Sequence, residues 1–176
     1  MAEIKSTLEL VMERTRHLHM TDEDKRKQAA LAFKETVNRL TLKYLDRQVD
    51  LEQFRTELNR LGGESTSDMA DAAAEIGRRI DPAADNAPLL DLIKYGLDFD
   101  VSGIEAALHY FREALHRQED QACERLKADL LKKGILGSAV VPNLEADKDW
   151  AKRREEMLDT VREELAAQIA QLKRRR

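Results

Sequence analysis

Four side chains able to hold a metal or move a proton, His109, Glu113, His116 and Asp120, recur at spacings of four, three and four residues. On a helix those spacings form one stripe. Imidazole and carboxylate groups so arranged are the donors from which helical bundles build divalent-metal sites. Glu113 and His116 make the Glu-x-x-His pair that di-iron bundles use twice. No second Glu-x-x-His occurs in the chain. At 100° per residue from Leu108, the apolar Ile104, Leu108, Phe111, Leu115 and Ala122 centre near about 330° and the His/Glu stripe near about 110°. The stripe is therefore expected to face solvent. A metal-dependent or acid/base enzyme built on it would need a second subunit to close a groove over it.

Three further patterns carry weaker chemistry. Asp98, Asp100, Ser102 and Gly103 occupy the positions of the first half of a calcium loop, with oxygen ligands at alternate residues and then the turning glycine. The pattern then breaks, because the eighth position holds Glu105 and the twelfth, where a bidentate Glu belongs, holds His109. Ser102 and Glu105 instead read as a capping box that opens a long helix. His17 and His19 lie two apart, so on a helix they point about 200° from each other and bind one ion only where the helix frays. The tail Lys173, Arg174, Arg175 and Arg176 could touch phosphates, but four cations at a helix C-terminus also complement the macrodipole. The chain contains no Gly-rich phosphate loop, no Gly-x-Ser-x-Gly elbow and no His-Glu-x-x-His. A catalytic triad assembled in space would leave no such trace.

The elements that must position these residues are helical almost throughout. Ile4, Leu8, Val11, Thr15 and Leu18 share one side of a first helix. Thr21 and Asp24 cap a second, which reaches about Gln48 with Ala30, Phe33, Val37, Leu40 and Tyr44 on one side. Asp50 caps a short third helix carrying Leu51, Phe54, Leu58 and Leu61, stopped by Gly62 and Gly63. A small-residue helix with Ala70, Ala73, Ile76 and Ile80 ends before Pro82. The stretch from Asp81 to Pro88 holds two of the three prolines and reads as a linker, followed by a short helix through Leu89, Leu92 and Ile93. Two long helices complete the chain: one from Ser102 to Lys133, stopped by Gly134, and one that begins between Asn143 and Asp149. The expected fold is an all-α helical bundle without significant β-sheet. It comprises an N-terminal helical region over 1–81, a linker and short helix over 82–101, and a long antiparallel helical hairpin over 102–176.

Composition agrees with that reading. Of 176 residues, 36% are charged and 5% aromatic, with 7 Gly, 3 Pro and a single Cys. So few turn residues argue against collagen-like and turn-rich all-β chains, and one cysteine forms no internal disulfide. The start Met1-Ala-Glu-Ile-Lys5 has no apolar signal region and no apolar run suffices to span a membrane, so a cytoplasmic protein is expected. The net charge of −4 divides into −2 over 1–81, −5 over 82–147 and +3 over 148–176. A mildly acidic body with a short basic tail is not a nucleic-acid-binding domain by charge.

The last helix points to function. Trp150, Leu158, Val161, Leu165, Ile169 and Leu172 form a narrow seam with mixed charge around it, interrupted by Arg154. Such a seam pairs along another helix, either that of 102–133 or one in a second subunit. A non-enzymatic adaptor or assembly protein, with a protein partner or self-association and no cofactor, is the expected function.

Overall fold

Thr21 opens the helix that begins at Asp22, as its sequence predicts. Its hydroxyl accepts the Asp24 N–H (3.1 Å), and the Asp24 carboxylate accepts the Thr21 N–H in return (3.2 Å). The computed structural model describes residues 21–61, 66–135, 137 and 140–172. The expected helix over 4–18, His17 and His19, the Gly62–Gly63 stop and the Lys173–Arg176 tail lie outside the described residues. Within them the elements are α1 (Asp22–Leu45), α2 (Leu51–Arg60), α3 (Thr66–Gly77), α4 (Ala87–Asp91) running into a π-helical turn (Leu92–Gly96), α5 (Ser102–Lys132), a 3-10 turn (Leu144–Ala146) and α6 (Lys148–Ala170). Among the described residues there is no strand, and the fold is all-α.

The chain divides into two compact units, 1–36 and 37–176. In the first, every described side chain from Thr21 to Ala32 is exposed. The ion pairs there, Lys25–Asp22 (3.2 Å) and Lys27–Glu23 (2.8 Å), are solvated and contribute a few tenths of a kcal/mol each at most.

The second unit holds the core. Val37, Leu40 and Thr41 are buried on α1, and the Thr41 hydroxyl returns its proton to the Val37 carbonyl (2.8 Å). α1 ends at Leu45, earlier than the apolar spacing suggests. Arg47 turns left-handed (φ 58°), so its N–H bonds the Tyr44 carbonyl (2.9 Å) while the Gln48 N–H reaches Lys43 (2.8 Å). This is the usual glycine terminator made with an arginine, at a cost of about 1 kcal/mol or more. Asp50 caps α2 in a full capping box with Gln53, and Phe54 and Leu58 turn inward. On α3 the buried face is Met69, Ala72, Ala73 and Ile76; Ala70, expected on it, is exposed.

Between α3 and α5 buried and exposed residues alternate along the chain. Pro82 is buried, and Asn86, 2% exposed, closes the turn on itself. Its side-chain oxygen accepts the Asp81 N–H (3.0 Å), and its amide donates to the carbonyls of Asp81 (2.7 Å) and Ala84 (3.2 Å). Leu89, Leu92, Ile93, Leu97, Phe99 and Val101 all enter the core.

The cap of α5 differs from the expected one. Ser102 is already helical and its hydroxyl does not cap; the Asp100 carboxylate accepts the Ser102 N–H (3.0 Å) across an Asx turn. Glu105, free of any capping box, pairs with Lys94 (3.2 Å). Asp100→Ala should therefore cost about 1 kcal/mol in chemical denaturation, and Ser102→Ala should be close to neutral. The reverse ranking would restore the serine cap. At its far end α5 stops as expected: Gly134 is left-handed (φ 78°) and the Ile135 N–H returns to Leu130 (3.0 Å).

Candidate functional site

The apolar seam of α6 is held there by a cap at Asp147, whose carboxylate accepts the Asp149 N–H (3.1 Å). From that start the helix buries Trp150, Leu158, Val161 and Leu165. The last three form one cluster with Ile104, Ala107, Leu108 and Phe111 of α5, and Leu115, Met157, Ile169 and Leu172 pack half-buried around it. Arg154, which interrupts the seam in sequence, is exposed and breaks nothing.

Contacts at both ends fix the register of α5 against α6. Gly103, in the first turn of α5, lies directly against the end of the Gln168 side chain. Arg125, about six turns further along, pairs with Asp147 and lies 3.9 Å from Asp149. Next to that ion pair, a cavity of about 260 Å³ is lined by Trp150, Ala122, Gln118, Gln121 and Arg153. Arg125 and Asp149 complete its lining.

The His/Glu stripe lies on α5 away from this cluster. His109, Glu113, His116 and Asp120 are all exposed, and they form two separate pairs, His109 with Glu113 (3.5 Å) and His116 with Asp120 (3.8 Å). Glu113 is shared with Arg117 (3.8 Å). Water screens such pairs, so each contributes little to stability. Among the described residues, no three His, Cys, Asp or Glu side chains converge as a metal site would require.

The Asp98–Gly103 segment also has a structural use for its letters. Asp98 is left-handed (φ 65°), and the Leu97 and Phe99 N–H groups return to Leu92 (3.0 Å) and Ile93 (3.1 Å). The turn thereby drives Phe99 and Val101 into the core and leaves the two aspartates outside. One Asp100 oxygen serves the helix start.

Two polar features escape sequence reasoning. Asn38 on α1 receives the Arg79 guanidinium (2.9 Å) and donates to Glu75 (2.6 Å), which also holds Arg78 (2.6 Å). Asn86 is the other. Neither has a periodic signal; only an asparagine just ahead of Ala87-Pro88, the start of a short helix, hints at the second.

No protein-family profile, curated protein or solved structure matches the chain significantly. Among the described residues, no helix is long and apolar enough to cross a membrane.

Proposed function

We propose that this chain is a non-enzymatic interaction or assembly protein that works through helix packing. The observation that supports this reading is the first part of α1. Residues 22–36 are helical, yet no side chain among them is buried and Leu31 is 60% exposed. A helix of that length without a packed face is marginal in water, because tertiary burial supplies most helical stability. Ala30 and Phe33 share one side of this stretch by helical spacing. That side is a docking face for a second helix.

Sedimentation equilibrium tests this directly. Self-association with a Kd below about 1 mM is expected, and Ala30→Glu should weaken it at least about tenfold while melting stays unchanged. A strict monomer, whose 25–34 amides exchange as fast as those of an unstructured peptide, would refute the docking role.

The stripe on α5 and the cytoplasmic setting expected from the sequence add no competing activity to this proposal. A partner other than a second copy would dock on the same α1 face.

A further inference from the structure

We propose that the cleft between the end of α1 and the start of α4 binds an organic cation, an ammonium or guanidinium group carried on an apolar stem. The cleft has a volume of about 570 Å³, within the range of about 300–1,000 Å³ typical of small-molecule sites. Its walls divide by chemistry. Tyr44, Leu45, Val49 and Pro88 supply apolar surface. The Tyr44 ring meets buried Phe54 edge-on, with centroids 6.5 Å apart. An aromatic face attracts cations through its quadrupole.

Charge decides the sign of the guest. Three carboxylates, Asp50, Asp85 and Asp91, line the cleft against the single guanidinium of Arg47. Two of the three are partly engaged: Asp50 accepts the Gln53 N–H (2.7 Å) and Asp85 the Ala87 N–H (3.0 Å). The Asp91 carboxylate carries no ion pair or hydrogen bond among the described residues and acts on Tyr44 only through space. An anion entering here would meet uncompensated negative charge, whereas a cation would find a carboxylate without a partner and an aromatic wall.

Tyr44 has a secondary part. Burial, and then the charge of Asp91, hold its phenol above the usual tyrosine value, so it stays protonated and can donate a hydrogen bond beside the cation. The site is independent of the α1 docking face, because all of its lining residues lie between 44 and 91.

Benzamidine is the probe for a free small molecule, and an acetylated, amidated Gly-Arg-Gly tripeptide is the probe for a side chain presented by a partner. Nitrogen–proton correlation spectra of the full chain should show saturable shifts at Gln48, Val49 and Ala87 with at least one of them, and the tighter binder identifies the source. Benzoate should leave those amides unmoved. Asp91→Asn, at an exposed position that leaves the helical circular dichroism unchanged, should weaken binding about tenfold. The proposal is overturned if neither cation shifts these amides up to about 10 mM. It is equally overturned if benzoate shifts them as much, or if Asp91→Asn binds as the parent does.

Discussion

Leu165→Ala should lower the free energy of unfolding by about 2–5 kcal/mol. Leu165 is 3% exposed and sits in the cluster with Ile104, Leu108 and Phe111, where α6 also borders α3. Truncation forfeits the transfer energy of the removed carbons and leaves a cavity between rigid helices that cannot collapse to fill it. Urea denaturation measures the loss directly, and the slope of the transition should stay constant while its midpoint falls. Leu172, half-buried beyond the last turn, serves as the comparison: Leu172→Ala should cost far less. Removing 150–176 altogether should expose the apolar face of α5 and give aggregation or a collapse of cooperative melting. A truncated chain that melts like the parent, or a Leu165→Ala loss below about 1 kcal/mol, would show that α6 only decorates the surface.

Asn86→Ala should cost about 2–4 kcal/mol, although it deletes little apolar surface. Its side chain makes three bonds to the backbone at 2% exposure, and removing it leaves an N–H and two carbonyls to be satisfied by other means in a partly buried turn. Asn86→Asp separates acceptor from donor roles. A carboxylate can still accept the Asp81 N–H, but it faces the Asp81 and Ala84 carbonyls with no proton to offer. The aspartate variant should therefore regain only part of the loss at neutral pH. If alanine at this position is neutral in denaturation, the turn is held by Pro82 and the neighbouring leucines instead.

Local rules made much of this fold legible. Thr21, Asp50 and Gly134 act where the sequence places them, because a cap needs only a few consecutive residues to agree. The seam of α6 was legible for a related reason: a repeat of three and four residues survives whatever the helix packs against. Ser102 was not, because a cap must itself be non-helical and the helix begins one residue earlier than the serine requires: Val101 holds the cap position, its carbonyl accepting the Glu105 N–H (2.9 Å), and Ser102 is already in the first turn. The end of α1 was hidden by an arginine standing where a glycine would announce the turn. The solvent-facing side of His109 and His116 followed from the arc of the apolar residues on α5. Asn86, the Asn38–Glu75 network and the Tyr44 cleft were not legible, since each brings together residues with no shared period.

The two glycines that face α6 have a mechanical consequence. Gly77 on α3 admits Ile169 so closely that an added Cβ would lie 2.9 Å from it, and Gly103 on α5 accommodates Gln168, one residue away. A single turn of α6 is thus keyed into two other helices at once, like a dovetail shared by two boards. A load applied beyond Leu172 would not peel α6 from one neighbour at a time. It would pull on both contacts together, so the C-terminal end of α6 should open as one unit, while the Trp150 end, tied to α5 by the Arg125–Asp147 pair, would follow by ordinary unzipping.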